Sequence, residues 1–236
     1  MSKLNYISLG HRCHIYQAVK RLGGTEFTYP FDHLISSWEG IINCFEQNFK
    51  NFFPKNCQKT TISCDCSSKY DEICDEENRR LIFKGKYFCY THHDLRNSTV
   101  ITKFKERIKR LDSLLSKTQI PVIFLRTILH KNEHKQYGEF ETVIKKKYPN
   151  LIFKVVFVST VPNNKTFKIF RQGNYILAED RFLQIDENEF ILKNRYLELI
   201  NYLNSNDVIT NFASLTEVGN EYVSSVTEYN HHAPMD

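Results

Sequence analysis

The sequence predicts an α/β fold, a layered domain with a mainly parallel central sheet flanked by helices. A β-hairpin and a polar, Cys-containing insertion are added to it. Three observations lead there. Apolar runs at 4–9, 122–125 and 151–158 are continuous rather than alternating, as in strands covered on both faces. Stripes of helical period separate them, at 38–53, 98–116 and 140–147. No internal repeat or Gly/Ser linker interrupts the order, so residues 1–204 read as one domain, with 54–79 as a loop or insertion within it. Residues 205–236 read as a C-terminal segment, partly ordered or a tail.

The elements follow in order. The first strand ends at Gly10, and a helical pattern with Ile15, Val19 and Leu22 on one face runs to Gly23-Gly24. Pro30 predicts an extended segment over Phe27-Thr28-Tyr29-Pro30-Phe31-Asp32-His33. Trp38, Ile41, Ile42, Phe45, Phe49 and Phe52 form the next helical stripe. Leu81-Ile82-Phe83 and Tyr87-Phe88-Cys89-Tyr90 flank Lys84-Gly85-Lys86 as a hairpin that delivers Thr91-His92-His93-Asp94. Ser98 is the expected N-cap of a helix reaching about residue 116. Ile101, Phe104, Ile108, Leu111 and Leu115 face inward on it, and Lys103, Lys105, Arg107, Lys109 and Arg110 mainly outward. Weaker strands are expected at 167–170, 175–177 and 182–185, and a last helix at 194–203.

Composition narrows the function classes. The chain has 236 residues, is 41% hydrophobic and 25% charged, and carries a formal charge of +5. That is ordinary for a globular protein, and the charge is too modest to require a nucleic-acid partner. No apolar run approaches the roughly 20 residues that cross a bilayer, so no membrane partner is expected. Seven cysteines, an odd number without scaffold spacing, point to reduced thiols in a cytoplasm-like compartment. Abundant Asn, Lys, Ile and Phe fit an AT-rich genome, such as that of a large DNA virus or an intracellular pathogen. Oligomeric state is not readable.

Chemistry concentrates at the first strand–helix junction. Cys13 falls where unpaired N–H groups and the helix dipole favour an anion, so its thiol can ionise near neutral pH. A thiolate needs a histidine beside it and an acceptor to orient that histidine. His92 and His93 are available, and Asp94 or Asp32 could orient the imidazole. The alternative is a Cys13 buried as a small core residue. His130-Lys131-Asn132-Glu133-His134 matches the order of inverted zinc peptidases, but it follows directly on a strand in a polar stretch, so a solvated loop is expected. Cys57, Cys64, Cys66 and Cys74 lack a C-x-x-C pair and read as reduced loop thiols. No metal or other cofactor is expected. Phosphate-loop, dinucleotide, tyrosine-phosphatase and nucleophile-elbow signatures are absent.

These residues also carry a resemblance. Ser8-Leu9-Gly10-x-x-Cys13, Leu22-Gly23, Tyr29-Pro30-Phe31-Asp32, Ser36, Gly40, Asn48-Phe49, Phe52-Phe53, His93-Asp94 and Phe124-Leu125-Arg126 occur in that order. The pattern resembles a family described as putative papain-like cysteine peptidases, found in bacteria and large DNA viruses. The resemblance implies Cys13 as nucleophile, His93 as its partner and Asp94 or Asp32 as orienter. His33 stands where the family usually has Trp. The papain arrangement sets a helix-borne cysteine against an antiparallel barrel, whereas the alternation here predicts a parallel sheet.

The resulting expectation is a cysteine-dependent hydrolase or transferase acting on a peptide or small anionic substrate. N–H groups after Gly10 would form an oxyanion site, and Arg12 and Arg126 would bind an anionic part of the substrate. The alternative keeps the fold without the nucleophile. Gly10, His11, Arg12, His33, His93 and Arg126 would then line a pocket for a phosphorylated or nucleotide-like ligand. A host-partner interaction module is a third possibility that no residue favours.

Overall fold

The computed structural model describes residues 4–10, 13–21, 26–54, 58–63, 79–90, 92–128, 132–161, 168–172, 175–181 and 203. In chain order the elements are β1 (Asn5–Ser8), α1 (Cys13–Arg21), β2 (Ile35–Ser36), α2 (Trp38–Glu46), β3 (Gln58–Ser63), β4 (Arg79–Lys84), β5 (Phe88–Tyr90) and α3 (Ser98–Lys117). They continue with β6 (Val122–Thr127), a 3-10 turn (Glu133–Gln136), α4 (Tyr137–Lys147), β7 (Phe153–Val161), β8 (Lys168–Gln172) and β9 (Tyr175–Arg181).

The predicted α/β architecture is present. A five-stranded sheet in the order β1-β6-β7-β9-β8 has four parallel strands, and β8 closes one edge antiparallel to β9. Its central strands are buried on both faces, which explains their uninterrupted apolar sequence. Ile123, Leu125, Val156 and Val158 pack on one face with Ile15 and Val19 of α1. Phe124, Val155 and Phe157 on the other face meet residues of α2, α3 and α4. Among the described residues no helix is long and apolar enough to cross a membrane.

A second, antiparallel sheet runs β2-β5-β4-β3. The expected hairpin is its middle, with Phe83 opposite Tyr90 and Lys84 opposite Cys89. The region expected to be a loop or insertion, 54–79, contains a strand. β3 pairs with β4 from Gln58↔Lys84 to Ser63↔Arg79. Its residues, Gln-Lys-Thr-Thr-Ile-Ser, are polar enough to hide the strand in an apolarity reading, and ladder bonds to β4 hold it instead. The candidate metal-binding cysteines Cys57, Cys64, Cys66 and Cys74 lie outside the described residues, as do the expected elements at 182–185 and most of 194–203. Cys44 and Cys89 are buried thiols.

An aromatic cluster joins the layers. Phe31 is wholly buried, stacked on Phe49 (5.7 Å between ring centroids) and Phe88 (6.2 Å), with Phe52 edge-on and Phe45 tilted against it. α2 starts at Ser37, whose side chain accepts from the Gly40 N–H at 3.0 Å. It stops short of the predicted residue 53 because Asn48 and Phe49 take left-handed φ values of 51° and 60°. Burial of the Phe49 ring among Phe31, Phe45 and Phe52 offsets that backbone strain.

Two local expectations are corrected. Residues 30–33 form a turn, not an extended segment: the Asp32 carboxylate accepts from the Tyr29 N–H, and the Leu34 N–H reaches the Phe31 carbonyl. Asn97, not Ser98, caps α3, its side chain accepting from the Thr99 N–H at 2.9 Å.

Candidate active site

The β1–α1 junction is built by close backbone approach. β1 ends at Ser8, whose hydroxyl accepts from the Gly10 N–H at 3.1 Å. Gly10 has φ +78°, and a Cβ there would lie 2.4 Å from Ser36 Oγ. Only glycine satisfies both the conformation and the space. Gly10, expected to line a substrate pocket, is therefore the turn that seats β1 against β2 and starts the path to α1. Cys13 is the first residue of α1. Its side chain, together with His11 and Arg12, lies outside the described residues.

One helical turn after Cys13, the Tyr16 ring meets the edge of His33 at 4.9 Å. His33 lies edge-on to His93 at 6.0 Å, and His93 packs edge-on against Phe104 of α3 at 4.9 Å. Three segments far apart in sequence thus converge: α1, the Asp32-His33 turn and the connection after β5. The antiparallel sheet delivers His93, and the parallel sheet delivers the head of α1. A pocket of ≈ 460 Å³ opens beside His93, with His92, Asn97, Lys103, Phe104 and Arg107 on its walls.

Burial and neighbouring cations set the charge state of both imidazoles. Burial, then Arg107, His92 and Lys20, lowers the His33 pKa to about 4. Burial, then Arg107, His33, His92 and Lys103, lowers that of His93 to about 3. Both rings are neutral at pH 7, so they can accept a proton but carry no positive charge with which to hold a thiolate. The buried Nε2 of His93 has no hydrogen-bond partner among the described residues.

Linkage gives the sign of an acid effect. The folded histidines titrate below the unfolded value of about 6.5, so the unfolded chain binds more protons once pH falls through that value. Stability is expected to decline from about pH 6.5 downward, continuing to about 4 for His33 and about 3 for His93. Urea midpoints taken across this range for wild type and His93→Gln check it. The variant should lose less stability on acidification, and an identical pH profile in the two proteins would refute the assignment.

Neither candidate orienting carboxylate hydrogen-bonds His93 among the described residues. Asp94 forms a bidentate pair with Arg96, at 2.9 Å from Nε to Oδ1 and 2.6 Å from Nη2 to Oδ2. Asp32 is fully buried, with Oδ2 on the Tyr29 N–H and Oδ1 without a partner among the described residues. Burial raises its pKa well above the usual carboxylate value, against the opposing pull of the Tyr29 N–H, Arg107 and Lys20.

Arg126, expected to bind a substrate anion, is wholly buried and bonded within the protein. Nε and Nη2 hold Glu133 at 3.0 and 2.8 Å, Nη2 also reaches the Ser36 carbonyl, and Nη1 reaches the Leu9 carbonyl and Ser36 Oγ. All five of its N–H donors are engaged, which leaves none for a ligand. Arg126 instead ties β6 to the β1 exit, to β2 and to the 3-10 turn. The expectation of a solvated loop around Glu133 and His134 is overturned with it, since both residues are buried. Arg126 needs a buried anion, and Glu133 supplies it.

Arg107 is the site residue that the outward-facing assignment missed. Its guanidinium lies over the Phe104 ring at 4.9 Å, and its buried Nη1 has no partner among the described residues. The signal was present in the spacing: position 107 follows Phe104 by three residues and precedes Leu111 by four, on the buried face of α3.

The family is decided by the match of a family model over residues 4–163, described as "Putative papain-like cysteine peptidase". The chain belongs to this family. No curated protein and no solved structure matches it. The match spans the β1 exit, α1, the Asp32-His33 turn, the His93 connection and β6. At a coarse level the family description supports a cysteine hydrolase. The mainly parallel sheet departs from the papain arrangement that the resemblance implied.

Proposed function

We propose that the protein is a cysteine-dependent hydrolase or transferase, with Cys13 as nucleophile and His93 as general base and then acid. The convergence of the head of α1 with the neutral imidazoles His33 and His93 beside a pocket carries this reading. Burial and nearby cations hold the His93 pKa at about 3, so its Nε2, unpartnered among the described residues, takes the thiol proton only if the negative charge forming at Cys13 raises that pKa. The Cys13 sulfur bonds to an acyl carbon as its proton passes to His93. The leaving group departs with that proton, and a water deprotonated by His93 cleaves the thioester and restores the thiol. N–H groups at the start of α1 would receive the oxyanion. A reducing, cytoplasm-like compartment suits a thiol nucleophile, and a peptide or small anionic acyl compound suits the pocket. Asp32 would orient the site from within the turn, since Asp94 is held by Arg96.

The test is alkylation by iodoacetamide, followed residue by residue by mass spectrometry. Cys13 should react at least about tenfold faster than Cys44, whose thiol is buried and pushed up in pKa. His93→Gln, which keeps most of the side-chain volume, should slow Cys13 with a smaller fall in the urea midpoint than His93→Ala. A Cys13 that reacts no faster than the other six thiols would overturn the reading. The cationic wall of the pocket favours one rival, anion binding without a covalent step. A Cys13→Ser variant with undiminished function would select it.

A further inference from the structure

We propose that Arg107, assisted by Lys103, forms a subsite for an oxyanion group of the substrate, a carboxylate or a phosphate, immediately beside His93. Burying a guanidinium with an unsatisfied N–H costs free energy unless something pairs with it. Arg107 Nη1 is buried and unpartnered among the described residues, and the residue lines the ≈ 460 Å³ pocket with Lys103, His93 and Asn97. The pocket volume is that of a small-molecule site. Asp32 attracts Arg107 electrostatically, but no ion pair joins them among the described residues. Asp94, the carboxylate at the pocket wall, is taken by Arg96. The pocket therefore presents two cations, the neutral imidazole of His93 and an Asp94 carboxylate already paired with Arg96 to whatever enters.

Phe104 fixes the position of Arg107. The guanidinium lies over the same Phe104 ring (4.9 Å) against which His93 packs edge-on (4.9 Å), and Arg107 and His93 line one pocket, so an anion held by Arg107 shares that pocket with the imidazole. A planar guanidinium recognises both carboxylate and phosphate oxygens through paired N–H donors. This inference rests on the Cys13–His93 reading for the reaction that follows binding, but not for binding itself.

Calorimetric titration of the full chain at low ionic strength tests it, with inorganic phosphate, glutarate and the neutral diamide glutaramide as probes. Phosphate or glutarate should bind, the diamide at least about tenfold more weakly, and the tighter of the two anions identifies the group. Arg107→Gln should weaken anion binding about tenfold or more and Lys103→Gln less. Lys105→Gln, exposed on the same helix outside the pocket, should leave it unchanged. Equal binding of the diamide, no binding of either anion, or an unaltered Arg107→Gln would each overturn the proposal. If Arg107→Gln lowers the urea midpoint, Lys103→Gln and the His93 ring resonances decide. An anion that leaves those resonances unmoved refutes the site. Cys13→Ala should bind the anion like wild type, so loss of catalysis and loss of this subsite are read separately.

Discussion

Replacing Arg126 with alanine is expected to cost about 3–5 kcal/mol of stability, read as a fall in the urea midpoint, because it strands a buried carboxylate. Glu133 is 4% exposed, and both of its oxygens face Arg126. Without the guanidinium, the Leu9 and Ser36 carbonyls also lose donors in a place water does not reach. The double variant Arg126→Met, Glu133→Leu should recover much of the loss, since apolar groups of similar volume can replace a buried ion pair at little net cost. The same side chain holds the β1 exit against β2, so the single variant should also loosen the turn through Gly10 that leads to Cys13. A single variant within about 1 kcal/mol of wild type, the range of an exposed pair, would show that the pair is not the clamp described.

Phe31→Ala should be comparably severe, about 3–5 kcal/mol, the range for deleting a buried aromatic ring. Its ring is in contact with Phe45, Phe49, Phe52 and Phe88, which come from two segments of the chain, α2 with the turn after it and β5. The cavity left behind cannot close without moving α2 or β5, because both are already held in place by sheet and cap hydrogen bonds. Phe31→Leu, which keeps most of the volume, should cost considerably less. Phe31 precedes Asp32 and His33, so Phe31→Ala should also disturb the His33–His93 contact, visible in the histidine ring resonances. A loss below about 1.5 kcal/mol, the level of a volume-conserving swap, would mean that the aromatic cluster is more plastic than its packing implies.

The parallel sheet was legible because burial on both faces leaves a direct mark in composition: β6 and the core of β7 admit few polar residues, and those few are explained by partners or ends. The hairpin was legible because turn residues and apolar runs are local signals. β3 was not, because a polar strand is specified by its ladder to β4 rather than by its own pattern. The turn at residues 30–33 was missed for a related reason. Pro30 disfavours helix, but the choice between extended chain and turn was made by the Asp32 carboxylate folding back on Tyr29.

The candidate site divides in the same way. The Ser-Leu-Gly-x-x-Cys junction and the His93-Asp94 pair could be picked out in the sequence, because each is a short run with its own chemical meaning. Which cation serves the pocket could not be. Arg126 and Arg107 have the same side chain; helical spacing puts Arg107 on the apolar face of α3, but which of the two has its donors consumed depends on groups from distant segments. Arg126 lies at the end of a buried strand, within reach of Glu133 and two carbonyls, so the fold consumes its donors. Arg107 lies on the inner face of α3 over Phe104, beside a cavity, and keeps a buried N–H unpaired. The amino-acid sequence alone determined the α/β class and the position of Cys13 at a helix start, since both depend on neighbours along the chain. Tertiary structure decided the charge state of His33 and His93, the partner of Asp94 and the roles of the two arginines. Those properties depend on desolvation and on groups brought together from distant segments.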